Sequence, residues 1–509
     1  MRKTIFKNEV GNEYRSITDI NSLESPKYGD LSDVKKAINE IESVIGLENI
    51  KDSSSELLIH SDNSSNFHKP NENERPYIVA LPSTIEQVSE IAKICHRYRI
   101  PMIPYSGGTS IEGHFIPTRR GICIDVSKMD KILAVHEDDL DVVVQPGIGW
   151  MELNEELDQY GLMFGCDPGP GAEIGGMVAT SCSGTNASRY GTMKENVISL
   201  KVVLADGTII KTKNRPRKSS NGYNLTGLFV GSEGTLGIIV EATLKLHVKP
   251  ENEIVAIMNF NHIQEAAKTV TDIFKKGIVV NAVELMDDRQ MKCIREMTQD
   301  IEGGRQWSDK NLLLFKLGGS PGALKDTVER VKDICHQNNG FNLEIATSTE
   351  EKDEIWRTRK TQLWTSIDWA KRIIPNARAW PTDVAVPVSR LPKVIAETVA
   401  DIEEHGLMTT VVGHVGDGNI HALVIFPPDK LAAAETVVGK MVQRAIANEG
   451  TVSGEHGVGI GKRDFLVAEL GQATVDTMRS VKLALDPLRL LNPDKIFKID
   501  PFEKRVENC

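Results

Sequence analysis

An α+β fold is predicted for this chain by three observations. Between residues 71 and 250, candidate strands outnumber helices and several pair as hairpins. From about residue 251 the pattern changes to longer helices separated by single strands, which marks a second domain. The 509 residues, 40% hydrophobic and 26% charged, suffice to bury two or three cores.

Taken in order, residues 1–70 are rich in Ser, Asn, Asp and Glu and read as an N-terminal extension. It carries a helix over Leu31–Ile45 and a loose polar linker over residues 63–76. The opening Met1 to Lys7 is basic like the start of a transit peptide, but Glu9, Glu13, Asp19 and Glu24 interrupt the acid-poor character such peptides need. Ser83-Thr84-Ile85-Glu86 fits a capping box, and Val88, Ile91, Ala92 and Cys95 follow at helical spacing, so a helix runs to about Arg99. Strands are expected over 102–104, 121–126 and 142–145. A hairpin joins 197–204 to 208–212 through Asp206-Gly207, and a long strand covers 234–248. In the second domain, helices are expected over 264–274, 323–335, 392–404 and 432–447, the third opened by Pro392 and closed by Gly406. The last segment, 484–497, is short and bears proline.

Composition excludes several classes of function. The formal net charge is -11 and no Lys/Arg cluster is long enough to follow a phosphate backbone, which argues against nucleic acid as a partner. Arg215-Pro216-Arg217-Lys218 reads as a solvated loop. Seven widely spread cysteines without a CxxC pair read as reduced thiols rather than a disulfide frame or a zinc ribbon. No run of 18 apolar residues is present, so no transmembrane segment is expected.

Three glycine-rich runs stand out: residues 104–114, 165–191 and 231–237. The first lies between two strands, where bare amides and Ser or Thr hydroxyls can ring an anion such as a pyrophosphate. The middle run has almost no bulky side chain over about 20 positions, which suggests backbone pressed against a large flat ligand; ordinary turns are the alternative for any one run. None is GxGxxG. Gly439-Lys440 and Gly461-Lys462 are followed by Met441 and Arg463 where a phosphate loop needs Ser or Thr, so nucleotide sites of those kinds are disfavoured.

His414 and His421 flank Gly416-Asp417-Gly418-Asn419, and Glu455-His456 follows about one helix later. In a hairpin turning over residues 415–418, His414 faces Asn419, and His421 falls on the same face, diagonal at roughly 7 Å. Two imidazoles can then share one ion, with Glu455 as a harder third ligand. A satisfied structural histidine, and a metal hydrolase or lyase activating water, are the competing readings; the absence of HExxH disfavours a protease. Arg359, on an apparent helix, is either a carboxylate ligand or a solvated cation.

The three runs, with Pro-Tyr-Ser-Gly-Gly-Thr-Ser in the first, resemble the FAD-binding domain of the vanillyl-alcohol-oxidase, or PCMH-type, flavoproteins. Together with the C-terminal motifs they resemble the family of cytochrome-linked D-lactate dehydrogenases, over residues 77–497. The resemblance implies an FAD domain of two α+β subdomains over 71–250, an α+β cap with an antiparallel sheet over 251–483, and a segment, 484–509, returning to the flavin. It implies FAD contacts from Pro104, Tyr105, Ser106, Gly107, Gly108, Thr109, Ser110 and Gly113, with Ser106 to Ser110 on the pyrophosphate. Pro168, Gly169, Ile174, Gly175, Gly176, Ala179, Ser183, Gly184 and Gly191 would line the flavin and ribityl, Gly237 and Ile238 the adenine side, and Asn492 the ring. Ser110 and Ile111 stand where some relatives carry a covalent attachment residue, so FAD is expected to be non-covalent. His414, His421 and Glu455 would hold one divalent metal, zinc or manganese, with His456 as base, Arg359 on the substrate carboxylate and Asn419 adding a hydrogen bond. The implied reaction is oxidation of D-lactate to pyruvate, with electrons passed to cytochrome c or a similar acceptor, in the mitochondrion or, for want of a clear presequence, the cytosol. Pro381 occupies a place where relatives acting on D-2-hydroxyglutarate carry Lys, which favours a small D-2-hydroxy-acid without a second carboxylate.

Overall fold

Helix Leu31–Ile45 buries Val34, Ala37, Ile41 and Ile45, one stripe at three- and four-residue spacing, and its N-cap Asp30 accepts from the amides of Ser32 and Asp33. The structure, a computed structural model, describes residues 6–7, 13–14, 16–300, 304–346 and 348–503. That stripe packs with Val88, Ile91, Ala92 and Cys95 of helix Ile85–Tyr98 in one core. Beneath them lies a four-stranded sheet in the order Ile50–Lys51, Ile78–Ala80, Ile122–Asp125, Met102–Tyr105. Residues 31–51 are therefore part of this core rather than an appendage to it. The expected capping box is not formed: the N-cap is Thr84, which accepts from the Gln87 amide, and the Gln87 side chain accepts from the amide of Ser83, one residue before the cap.

A second, antiparallel sheet runs Ile209–Lys211, Val197–Val203, Ile238–Lys245, Asp141–Val144, Ile132–His136. Its first pair is the expected hairpin, closed at Gly207 with φ +85°. The expected strand over 234–248 is interrupted: after Lys245 the chain leaves the sheet, and His247–Val248 pairs with Leu162–Met163. Helices Trp150–Leu157 and Ile174–Thr180 bury Leu153, Leu157, Ile174 and Val178 in the core of this sheet.

The third sheet is the largest and wholly antiparallel, in the order Phe341–Ala346, Asn252–Phe260, Asn311–Gly319, Ala282–Met286, Met408–Gly413, Asn419–Phe426, Arg378–Pro381. Helices Ile263–Lys275, Pro321–Gln337, Leu391–Glu404 and Leu431–Ala447 cover one face, each within a few residues of its predicted span. Strand alternation divides Asn419–Phe426 cleanly. Ile420, Ala422, Val424 and Phe426 enter that helix-covered core, while Leu423 and Ile425 pack on the opposite face against Cys293, Trp369 and Ala370. His421 shares the parity of Leu423, and so faces away from the main core.

The final segment returns to the first sheet. Met102 donates its amide to the Leu490 carbonyl at 2.8 Å and accepts from the Asn492 amide at 2.8 Å, with Leu490 and Leu491 fully buried beside it. Among the described residues, no helix is long and apolar enough to cross a membrane. Because helix Leu31–Ile45 is integral to the core, Ile41→Ala is expected to cost about 2–5 kcal/mol. A lowered midpoint in thermal or urea unfolding would register this, and a midpoint unchanged from wild type would return the segment to the status of an appendage.

Candidate active site

The hairpin of Met408–Gly413 and Asn419–Phe426 pairs Val412 with His421, a register that sets His414 opposite Asn419, as expected. The reversal is tight: the Asp417 amide donates to the His414 carbonyl at 2.9 Å, and Gly418 sits at φ +74°. The two imidazoles lie 5.4 Å apart, centre to centre. Glu455 enters from the loop after helix Leu431–Ala447, and its Oε1 stands 3.0 Å from His414 Nε2 and 3.1 Å from His421 Nε2. Its Oε2 accepts from the Ser183 hydroxyl at 2.6 Å and the Gly184 amide at 3.1 Å.

Each ring nitrogen turned away from this cluster is also engaged. His414 Nδ1 lies 2.8 Å from Glu284 Oε1, and His421 Nδ1 lies 3.1 Å from the Thr382 carbonyl. Both Nε2 atoms are thereby left for a third party, the arrangement a metal site requires of its outer partners. Glu284 is wholly buried, and its other oxygen pairs with Arg359 Nη2 at 2.6 Å. Burial disfavours a charged His414, but Glu284 and Glu455 outweigh it and hold the imidazole well above its ordinary pKa. For Glu455 burial again opposes charge, and His414 and His421 hold the carboxylate well below the usual range. Three converging donors, each with its outer shell in place, fit a divalent cation.

Asp383 anchors the rest. It accepts from Asn419 Nδ2 at 2.6 Å, Ser453 Oγ at 2.9 Å, the amides of Glu455 and His456 at 3.1 and 3.0 Å, and Lys462 Nζ at 3.1 Å. An alternative metal group of Asp383, His421 and His456 is geometrically available, but the oxygens of Asp383 are already taken by these donors. His456 stacks on His421 at 4.9 Å and 16°. Burial, only partly offset by Asp383, lowers its pKa to about 4, and its Nδ1 is buried without a partner. Arg359 Nε is likewise buried with no acceptor. Both groups are free to meet a polar ligand in the adjoining cavity.

These groups open into a cavity of about 560 Å³ that also takes in the glycine runs. Of the residues expected to contact FAD, those from Pro104 to Ser110 line it, as do Pro168, Gly169, Gly175, Gly176, Ala179, Gly184, Gly237, Ile238 and Asn492. Arg359, His414, His421, Glu455 and His456 line it as well. Gly113, Ile174, Ser183 and Gly191 do not. Gly113 packs on Ile460, Ile174 is core, Ser183 serves Glu455, and Gly191 closes a short helix against Glu195. Asn419 stands outside the lining too, its amide nitrogen donating to Asp383 and the Val384 carbonyl.

The cavity fits a long ligand with an anionic middle. Among the described residues no backbone carbonyl accepts from the amides of Gly107 to Ser110, and a Cβ on Gly169 would meet no protein atom within 4 Å. Asn63, from the stretch read as loose linker, donates to the carbonyls of Gly108 and Ser110 at 2.9 and 2.8 Å. It lines the cavity beside that loop and carries no motif that sequence reading could have caught. Glu284, Asp383 and Lys462 were missed for the same reason.

Residues 76–213 match the model of an FAD binding domain, and residues 249–496 that of the C-terminal domain of FAD linked oxidases. The chain belongs to the FAD-linked oxidase family, with D-lactate dehydrogenases [cytochrome] among its relatives. It is 50% identical to "D-lactate dehydrogenase [cytochrome], mitochondrial" of Kluyveromyces lactis, over 97% of this chain and 87% of that one. To the Arabidopsis thaliana protein of the same name it is 41% identical, over 91% and 80% of the two chains. It is 32% identical to glycolate oxidase subunit GlcD of Bacillus subtilis, over 93% and 98%. Among solved structures, substrate-bound p-cresol methylhydroxylase superposes with a TM-score of 0.76 at 18% identity, over 95% of this chain and 100% of that one, a likeness of fold.

Removing the two Asn63 hydrogen bonds should loosen the loop over residues 107–110, expected from the resemblance to meet the pyrophosphate of FAD. At about 1 kcal/mol for each hydrogen bond, Asn63→Ala is expected to weaken FAD binding by roughly tenfold or more. Flavin fluorescence on dilution or dialysis measures this directly, and retention equal to wild type would remove Asn63 from the cofactor site.

Proposed function

We propose that this chain oxidises D-lactate to pyruvate at the cavity where Arg359, the His414, His421 and Glu455 cluster, and His456 meet the glycine runs. That convergence is the observation that carries the reading, and the relatives named D-lactate dehydrogenase [cytochrome] support it. When bound, FAD supplies a two-electron hydride acceptor and the divalent ion a Lewis acid for the substrate hydroxyl and carboxylate oxygens.

The residues supply the rest. Arg359 offers its guanidinium to the substrate carboxylate, while Glu284 holds it in place from behind. His456, kept neutral by burial, accepts the hydroxyl proton at an imidazole nitrogen as the Cα hydride departs. Glu455 is fixed by Ser183 and Gly184 on one side and by the two histidines on the other, so the metal position is set before substrate arrives. Pro381 lines the cavity where a larger diacid would need a cation, which favours lactate over D-2-hydroxyglutarate. Cys166 lies outside the lining, and burial pushes its thiol and that of Cys182 well above the ordinary range, so neither is a ready nucleophile for covalent flavin attachment. Electrons then pass to a cytochrome c or similar acceptor, and the names of the relatives point to the mitochondrion.

Under anaerobic conditions, D-lactate is expected to bleach the flavin bands, and chelation to abolish bleaching while leaving FAD bound. Bleaching by D-2-hydroxyglutarate but not D-lactate would overturn the substrate, and undiminished bleaching after verified metal removal would overturn the metal's role. His456→Ala is expected to slow flavin reduction by about 10²–10⁴-fold with flavin content preserved. Lost flavin with a normal rate in the remaining holoenzyme would reassign His456 to structure.

A further inference from the structure

The run Gly457-Val458-Gly459-Ile460-Gly461-Lys462, directly after the Glu455-His456 pair, has no role in the chemistry above. Its surroundings explain its composition. Glu233, in the third glycine run, accepts from the Val458 amide at 2.6 Å and the Gly459 amide at 2.8 Å. Glu112, in the first run, accepts through its carbonyl from the amides of Ile460 and Gly461 at 3.0 and 3.2 Å, and its carboxylate pairs with Lys462 at 3.2 Å. Both carboxylates are buried. A side chain at Gly457 would collide with His114 and Glu233, one at Gly459 with the Glu112 carbonyl, and one at Gly461 with His68 and the Glu112 carboxylate. The alternating glycines are thus the approach surface of the two flavin-side loops.

From this we infer that residues 457–462 are a clamp, and that Glu233 and Glu112 are positioning residues which fix Glu455 and His456 relative to the flavin-binding loops. The inference rests on the reading of His456 and the glycine runs given above. Asp383 holds the start of the loop to the large sheet through the Glu455 and His456 amides. Glu233 and Glu112 hold its continuation to the loops that line the cavity. The Glu233 carboxylate, accepting two short amide bonds in a buried setting, is directional and strong, whereas the Glu112 carboxylate acts on the run through its ion pair with Lys462. A neutral amide at 233 offers one acceptor and turns a donor against a backbone donor, and at 112 it removes the charge that holds Lys462. Displacement of His456 by a fraction of an ångström then slows the chemical step, while Arg359, held by Glu284 outside this loop, still meets the substrate carboxylate.

The test uses Glu233→Gln and Glu112→Gln holoenzymes. In each, amide exchange by mass spectrometry at residues 454–462 is expected to quicken by about tenfold or more, with the hairpin at 408–426 unchanged. The limiting rate of anaerobic flavin reduction by D-lactate is expected to fall by about 10–100-fold, with half-saturation within about threefold. Wild-type exchange in the loop, or a wild-type limiting rate, overturns the clamp. Should Glu233→Gln lose flavin, Glu112→Gln decides alone, since Glu112 does not line the cavity. If D-lactate fails to reduce the wild-type flavin, the functional reading falls, and the exchange data still decide whether the clamp exists.

Discussion

One buried carboxylate, Asp383, is the interaction on which the site depends. Burial alone would push it towards the neutral form, but Lys462 and the neighbouring histidines hold it far below the usual range, so it stays charged. A buried charge must be surrounded by donors. Those it gathers are the amides of Glu455 and His456, the side chains of Asn419 and Ser453, and Lys462. Glu455, His456 and the base of the hairpin are therefore referenced to the same two oxygens. Without Asp383 the amides of Glu455 and His456 would lose the acceptor that holds them to the large sheet.

The site's charge balance follows from the same logic. Glu284, Glu455, Asp383, Glu112 and Glu233 are all buried or nearly so, against the permanent cations Arg359 and Lys462. The surplus of negative charge raises the pKa of His414 in the protein alone, and a divalent cation at the His414, His421 and Glu455 cluster would answer the same field. Glu284 carries that field across to Arg359, coupling the group suited to a substrate carboxylate with the group suited to a metal. Sheet alternation makes this arrangement possible. By turning His421 to the face opposite the main hydrophobic core, it lets a central strand of a buried sheet present polar groups to a cavity.

Much of this was legible in the chain. Helix Leu31–Ile45, the hairpin at Asp206-Gly207 and the register that sets His414 against Asn419 all follow from short-range rules of spacing, capping and turn chemistry. The glycine runs announced a large ligand because side-chain absence over many positions is itself a local signal. What was not legible lies in single residues without a pattern. Asn63 sits in a polar stretch that reads as linker, yet it spans 45 and 47 residues to brace the first glycine run. Ser183 and Gly191 belong to a run that reads as cofactor lining, but one serves Glu455 and the other closes a helix.

The sequence by itself determined the local elements and the kinds of chemistry: imidazoles and a carboxylate able to share an ion, bare loops able to cradle an anion, and a fold of mixed helices and sheets. Only the tertiary structure decided which of these groups meet, and with what support. Glu284 reaches His414 across 130 residues, and Ser183 reaches Glu455 across 272. Such contacts arise where sheets and loops pack against one another. Buried polar groups specify them through the cost of remaining unpaired, and that cost exists only once the chain has folded.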